Sequence, residues 1–343
     1  VIDPAAGVAD ARRMSPKVSV VIPVFNRPVA VRRAIESVLA QTCQDFEIVV
    51  VDDGSSDGTV EAIAAFDDPR ITIVRHSQRR GGSAARNTGI HASSAEYVAF
   101  LDSDDEWLPT KLERQLDRFA RSDARVALVY TGMESVYADG SCIVYPARES
   151  SDLSRVLLTD NVIGGTSVGM VRRRALDAIG GFDDSLPASQ EMDLWLRLCQ
   201  RFPAGAVPDV LVRVAKGDDQ HRITASIPNT TRGRELFRQK HRATMLRHRV
   251  LHLHLRESGW WYLRGARDPK AARGCAMEAV TVQPLAPLNY VLLVATLVPL
   301  SWLDRLVRWK HQWTARLGAP GRAWQGADRP LATSTPTRGQ RLP

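Results

Sequence analysis

The chain has 343 residues, 44% of them hydrophobic and 24% charged, a globular composition that excludes a wholly disordered protein. Its net charge of +8 hides a split: residues 1–228 hold 26 Lys and Arg against 32 Asp and Glu, while residues 229–343 hold 20 against 6. A uniformly basic nucleic-acid surface is excluded, and an acidic body joined to a basic, Trp-rich extension takes its place.

Residues 1–16 show no periodicity and read as a flexible leader. Val18–Val24 is a nearly unbroken apolar run, as a strand covered on both faces of a parallel sheet requires. Val29–Ala40 carries Val31, Ile35, Val38 and Leu39 at helical spacing. The alternation continues with strand Phe46–Val51, helix Thr59–Phe66, strand Ile71–Val74, helix Ser83–His91 and strand Tyr97–Leu101. This order predicts an open α/β sheet with right-handed crossovers. Residues 126–228 add a strand at Val126–Tyr130, a helix at Arg172–Ile179 ended by Gly180-Gly181, and a helix opening at Glu191 with Leu194, Trp195, Leu198 and Phe202 on one face. Arg232–Arg256 is helical in composition, Ala279–Leu303 carries no charge, and Gly318–Pro343 has the composition of a disordered tail. Four dispersed cysteines (Cys43, Cys142, Cys199, Cys275) argue for reduced thiols and a cytoplasmic setting. No secretory signal is visible near residue 1.

In open α/β sheets, ligands bind beyond the carboxyl ends of the strands. Pro23-Val24-Phe25-Asn26-Arg27 follows the first strand, Asp52-Asp53-Gly54-Ser55 the second, and Asp102-Ser103-Asp104-Asp105 the fourth. Two acidic clusters thus share one sheet edge, where repulsion has to be offset by a cation or by ligand donors. Asp102 and Asp104, one residue apart in a turn, suit a divalent cation that takes its remaining oxygens from water and a substrate diphosphate. A carboxylate at the Asp52-Asp53 turn can accept a base N–H or a ribose hydroxyl. Arg79-Arg80-Gly81-Gly82-Ser83, followed by Arg86 and Asn87, has the make-up of an anion site at a helix N-terminus, without the spacing of a P-loop. Glu191 and Asp193 sit at a helix start, where the macrodipole keeps a carboxylate ionised, as a general base needs. Two residues apart on a helix they diverge by roughly 200°, so one of them at most faces a substrate. His221-Arg222 follows Asp218-Asp219 in a loop and is able to reach a phosphate. His252 and His254, in a basic stretch without carboxylates, read as surface histidines.

The ordered set VSVVIPVFNR, VVVDDGSSDGT, GGSAARNTGI, FLDSDDEWLP and GGFDDSLPASQEMDLWLRL resembles the family 2 glycosyltransferases over about residues 17–225. The resemblance implies a GT-A fold, a Rossmann-like nucleotide-binding open mixed sheet flanked by helices, followed by a mostly helical basic extension. It implies a glycosyltransferase domain at 17–228, divided into a nucleotide-sugar half (17–125) and an acceptor half (126–228), then the extension at 229–317 and the tail at 318–343. The implied activity is transfer of a sugar from a nucleotide-diphosphate donor to the hydroxyl of a saccharide or lipid-linked saccharide, with inversion, Mg²⁺ or Mn²⁺ serving as cofactor. Carried across by motif, Pro23, Val24 and Asn26 border the nucleotide, Asp52 or Asp53 contacts base or ribose, and Arg86 and Asn87 line the donor site. Asp102 and Ser103 contact donor ribose or sugar, Asp104 with Asp102 holds the metal, and His221 or Arg222 faces the diphosphate. The family's base is usually the Asp of a Glu-Asp pair before the helix; here the pair reads Gln190-Glu191, which puts Glu191 at the base position and leaves Asp193 as an acceptor for backbone N–H groups or an arginine.

Other classes compete. A sugar-phosphate nucleotidyltransferase needs a basic Gly-rich loop after the first strand, where this chain has Asn26-Arg27. A phospho-accepting receiver domain needs neither the second acidic cluster nor the long continuation, and an inactive nucleotide-sugar binder is separated only by assay. Trp302, Leu306, Trp309 and Trp313 fall on one helical stripe among Arg305, Arg308, Lys310 and Arg316, the make-up of a helix lying on the inner face of an anionic membrane. The uncharged run before it is long enough to span a bilayer, but Pro284, Pro287, Pro299 and Asn289 weaken that reading.

Overall fold

A computed structural model describes residues 16–216 and 226–305. Among the described residues, 16–154 with 163–216 make one compact unit, and 155–162 with 226–305 make a second.

The first unit opens with β1 (Val18–Val24), α1 (Pro28–Leu39), β2 (Phe46–Asp52), α2 (Thr59–Ala64), β3 (Ile71–Arg75), α3 (Gly82–Ala92) and β4 (Tyr97–Phe100). β1 is parallel to β2 on one side and to β4 on the other, and all of it but Pro23 is buried. That double cover is the reason its sequence is continuously apolar rather than alternating. Its one polar member, Ser19, is satisfied: its hydroxyl donates to Glu47 at 2.7 Å and accepts from Ala95 N–H at 3.0 Å. α3 lies close on β1 because Gly89 faces it; a Cβ there would stand 2.3 Å from a Val21 methyl.

The chain continues through β5 (Asp105–Trp107), α4 (Lys111–Ala120), β6 (Leu128–Tyr137), β7 (Cys142–Tyr145) and the short α5 (Leu153–Val156). After a 3₁₀ turn at Thr166–Val168 come β8 (Gly169–Arg172), α6 (Arg173–Ile179), α7 (Gln190–Cys199) and β9 (Ala204–Lys216). The strand order is β3-β2-β1-β4-β8-β6-β9-β5, with β7 paired to β6. β8 runs antiparallel to both β4 and β6. The result is the mixed open sheet flanked by helices that the sequence implied. β5, β7, β8 and β9 escape its periodicity.

In the second unit the basic stretch is helical. It divides into α8 (Ile227–Arg247) and α9 (Leu251–Arg264), with Arg249 between them in the left-handed region at φ 56°. α10 (Pro269–Val282) starts on Asp268, whose carboxylate accepts from the Lys270 and Ala271 N–H groups at 3.0 Å. α11 (Pro287–Ala295) follows after a break in the uncharged run. Asn289 is buried at that break, and its amide donates to Ala279 O at 2.9 Å and Gln283 O at 3.1 Å. Among the described residues no helix is long and apolar enough to cross a membrane.

His254 corrects a sequence expectation. It is buried in this unit, stacks on Phe237 at 5.8 Å, and its Nδ1 lies 3.0 Å from Leu158 O. Burial, reinforced by the charge of Arg234, pushes its pKa down to about 4. Of the proposed lipid-facing stripe only Trp302 is described; Leu306, Trp309 and Trp313 lie outside the described residues, as do the leader at 1–15 and the tail.

Candidate active site

The loops after β1, β2 and β4 gather at one sheet edge, joined by the 3₁₀ turn before β8 and by the N-terminus of α7. All of these belong to the first unit. Asn26 sits in the left-handed region at φ 51°, which Asn tolerates better than most residues. Its backbone N–H donates to Ser55 Oγ and its side-chain Oδ1 accepts from Ser56 N–H, both at 2.9 Å. It thereby clasps the first loop to the second, with Pro23 and Val24 immediately before it on β1.

Asp52 and Asp53 are both buried and both engaged by the protein. Asp52 accepts from Ser55 N–H at 3.1 Å and pairs with Arg75 Nε at 3.1 Å, the Arg75 side chain being half exposed. Asp53 takes three donors at 2.8 Å: His76 Nδ1–H and the backbone N–H groups of Arg80 and Gly81. His76 completes the link through Thr88 Oγ1 at 2.9 Å. Asp53 is thus the anchor of the 79–81 loop, whose Arg79 guanidinium stacks over the Phe25 ring at 4.3 Å. Gly81, at φ 95°, gives that loop a conformation that side chains avoid.

The third cluster is built around Asp102. Its Oδ1 accepts from Arg86 Nη2 at 2.5 Å and Thr166 Oγ1 at 2.8 Å. Burial acts to raise its pKa, but the Arg86 charge and these two hydrogen bonds outweigh it, and the carboxyl sits below its ordinary value. Asp102 N–H donates to Ser167 Oγ at 3.0 Å, and Ser167 Oγ–H donates to Asp105 Oδ2 at 2.6 Å. Asp105 is buried, and burial together with the charges of Asp102 and Asp104 holds its pKa well above the usual carboxylate range. Asp104 remains at the partly exposed rim, 3.3 Å from Arg27 Nη1; the same guanidinium reaches Ser103 Oγ at 3.4 Å.

Arg86 also reaches toward the helix that carries the proposed base. Its Nη1 donates to Gln190 Oε1 at 3.4 Å, and Gln190 donates to Leu186 O at 2.9 Å. Asn87 differs from expectation. Its amide pairs with both backbone groups of Phe182, each at 2.9 Å, and donates to Asp184 Oδ1 at 2.8 Å. It therefore fixes the Gly180–Asp184 turn rather than presenting its amide to a ligand. α7 opens after Ser189, itself at φ 61°, so Glu191 occupies the second helical position, partly exposed, while Asp193 is fully buried. Asp193 accepts from Arg197 Nε at 2.7 Å, and the same guanidinium donates to Ile179 O at 2.9 Å and Gly181 O at 2.7 Å. His221 and Arg222 lie outside the described residues.

The sequence alone does not mark Arg27, Arg75, His76, Thr166 and Ser167 as partners of these carboxylates, nor Gln190 as a partner of Arg86. The signal for Thr166 and Ser167 was the Gly164-Gly165-Thr166-Ser167 turn. The others had no local signal, because their partners lie 23 to 104 positions away. Chemically, the site offers hard carboxylate oxygens at its rim, an arginine between the loop after β4 and the N-terminus of α7, and one carboxylate at that helix N-terminus. Among the described residues no group of three His, Cys, Asp or Glu side chains forms a complete metal cage. A cation held by Asp104 with Asp102 would take its other oxygens from substrate or water, as magnesium and manganese do.

A family model described as glycosyl transferase family 2 matches residues 19–180. An uncharacterized glycosyltransferase of Rickettsia felis is 33% identical over 205 residues, 58% of this chain and 34% of that protein. The uncharacterized glycosyltransferase RT0329 of Rickettsia typhi is 32% identical over 217 residues, 62% of this chain and 67% of that one. The Escherichia coli UDP-Glc:alpha-D-GlcNAc-diphosphoundecaprenol beta-1,3-glucosyltransferase WfgD is 35% identical over 119 residues, 35% of this chain and 46% of its own length. The chain thus spans about a third of the Rickettsia felis protein and two thirds of RT0329. Among solved structures, S. aureus TarS 1–349 in complex with UDP-GlcNAc aligns over 78% of this chain and 81% of its own, with TM-score 0.62 and 16% identity. Mannosyltransferase PcManGT from Pyrobaculum calidifontis, in complex with GDP-Man and Mn²⁺, aligns over 89% and 85%, with TM-score 0.54 and 21% identity. At those identities the likeness is one of fold.

Proposed function

Because the chain belongs to the family 2 glycosyltransferases, we propose that it transfers a sugar from a nucleotide-diphosphate sugar to an acceptor hydroxyl, with inversion, in the assembly of a glycan. The observation that carries this reading is the Arg86 bridge. One guanidinium joins Asp102, on the donor side, to Gln190, the residue before the proposed base. Donor carboxylate and base helix are thereby held in register at a single edge.

The roles follow from charge. Glu191, at the N-terminus of α7 where the macrodipole favours negative charge, removes the acceptor proton as the oxygen attacks the anomeric carbon opposite the leaving diphosphate. Asp104, with Asp102, would hold Mg²⁺ or Mn²⁺, which when bound supplies countercharge to the diphosphate. The Mn²⁺ in the PcManGT complex supports that choice. Arg27 neutralises Asp104, and His221 or Arg222 is assigned to the diphosphate. Asp52, whose partner Arg75 is half exposed, exchanges that partner for a base N–H or ribose hydroxyl, while Asp53 stays on the 79–81 loop. Asp193 orients α7 through Arg197 and takes no proton from the acceptor. The WfgD name describes a lipid-linked acceptor, which supports a saccharide on a lipid carrier as acceptor here and a place of work at the cytoplasmic membrane face.

A screen of nucleotide sugars for nucleoside diphosphate release, with and without Mg²⁺ or Mn²⁺, tests the reading. One donor should support release that rises with acceptor and falls on chelation. Pyrophosphate release from a nucleoside triphosphate and a sugar phosphate would instead make the chain a nucleotidyltransferase. Donor binding without turnover over all acceptors would make it an inactive binder.

A further inference from the structure

The second unit contains a helix that is apolar on both sides. α11 buries Asn289, Leu292 and Ala295 against its neighbours, and Leu292 approaches α9 so closely that a Cβ on Gly259 would stand 2.5 Å from it. The opposite face should then be polar, as on any amphipathic surface helix. It carries Leu288, Val291 and Val294 instead, continued by Leu297, and these four are 52–65% exposed. Leu285 before the helix is 88% exposed and Trp302 after it 61%. A contiguous apolar surface of this kind marks a contact with something.

We infer that the outward face of residues 285–302 is seated on the surface of an anionic lipid bilayer. Three features select that occupant. Residues 279–303 carry no charge, so nothing in the segment opposes entry into the acyl boundary. The run is flanked directly by Glu278, which pairs with Arg238 and Arg242, and by Asp304, which pairs with Arg267. Beyond them stand Lys270 and Arg273 before it and Arg305, Arg308 and Lys310 after it, and residues 306–343 hold seven Arg and Lys against one Asp. An apolar face whose flanking sequence is basic is complementary to acyl chains beneath anionic headgroups. A second copy would instead bring two basic flanking sequences together. The helix is too short to cross, so it lies in the plane of the membrane. This seat lies on the N-terminal side of the Trp302-Leu306-Trp309-Trp313 stripe read from sequence and shares Trp302 with it. It rests on the proposed action at a membrane, and it puts a lipid-linked acceptor and the enzyme on one surface.

The test is co-sedimentation of the full chain with vesicles of phosphatidylglycerol and phosphatidylcholine, compared with phosphatidylcholine alone. The wild type should pellet with the anionic vesicles at low salt. Leu288→Ser, Val291→Ser, Val294→Ser and Leu297→Ser together should weaken binding by about tenfold or more, with an unchanged melting temperature because all four face outward. If that combination unfolds the unit, the single Val294→Glu variant serves, with the same expected loss. Glu191→Gln should bind vesicles like wild type, so failed transfer and failed membrane seating are read separately. Absence of wild-type binding at low salt, or wild-type affinity in the folded apolar-face variants, overturns the inference. So does a wild-type dimer in solution that these variants convert to monomer, since that makes a second copy the occupant.

Discussion

Replacing Glu191 and Asp193 separately, each by its amide, distinguishes a residue that does chemistry from one that holds the helix. Asp193 is fully enclosed and bonded to Arg197, whose guanidinium simultaneously holds Ile179 O and Gly181 O. Asp193→Asn therefore removes the counter-charge of a mostly buried arginine. Breaking a buried pair in this way costs about 3–5 kcal/mol, and the partial exposure of Arg197 puts this case near the lower end, about 3 kcal/mol. For a unit of this size that is about 6–12 °C in Tm. Glu191 is partly exposed at the second position of α7, so Glu191→Gln should change stability by no more than about 0.5 kcal/mol. Loss of a general base lowers turnover by about 10²–10⁴. Thermal melts and initial rates of nucleoside diphosphate release, taken well below both transitions, separate the two effects. Glu191→Gln should melt like wild type, bind donor normally and turn over very slowly. Asp193→Asn should melt early and keep activity in proportion to its folded fraction. Near-full turnover in Glu191→Gln, alongside a folded but inactive Asp193→Asn, would refute the assignment.

Asp104→Ala should abolish metal-stimulated release while shifting Tm little, since the side chain lies at the rim; manganese titration of the apoprotein should show weaker binding than wild type. His254 is held neutral when folded, with a pKa of about 4 against an ordinary 6.5, so the unfolded chain binds the extra proton first as pH falls. The second unit should then lose about 2 kcal/mol between pH 7 and pH 5, and His254→Gln should flatten that part of the melting profile. Gly89→Ala places a methyl 2.3 Å from Val21 and should cost about 1–3 kcal/mol, with donor affinity falling because Arg86 rides on the same helix. The double variant Val21→Ala with Gly89→Ala should recover most of the loss.

The parallel half of the sheet was legible because burial on both faces writes an uninterrupted apolar run, and β1 and β2 fall within a residue of expectation. β9 was not, although it is the longest strand. Pro208, Asp209 and Arg213 interrupt its apolar residues, and its register with β6 shifts around Gly132, so no single alternation runs through it. β5 is three residues, Asp-Glu-Trp, stabilised by a partner more than a hundred positions later. The carboxylates of the site were visible by type and position, but their partners were not. Nothing near Asp53 announces that its oxygens belong to His76 and a loop backbone, or that Asn87 is spent on Phe182. His254 looked superficial because its neighbours in sequence are basic, whereas its acceptor is Leu158 O, 96 positions earlier.

The position of β8 between β4 and β6 sets the timetable for building this protein on the ribosome. β4 is a wholly buried Tyr-Val-Ala-Phe strand, paired on one side by β1, which precedes it in the chain. Its other edge waits for β8, which follows after about 70 further residues, about 4–14 s at ordinary elongation rates. Through that interval the nascent chain presents an unpaired apolar strand edge, the kind of template on which chains join one another. Slowing elongation between residues 100 and 172 should therefore lower the soluble yield and raise the demand for chaperones, whereas slowing it after residue 172 should not.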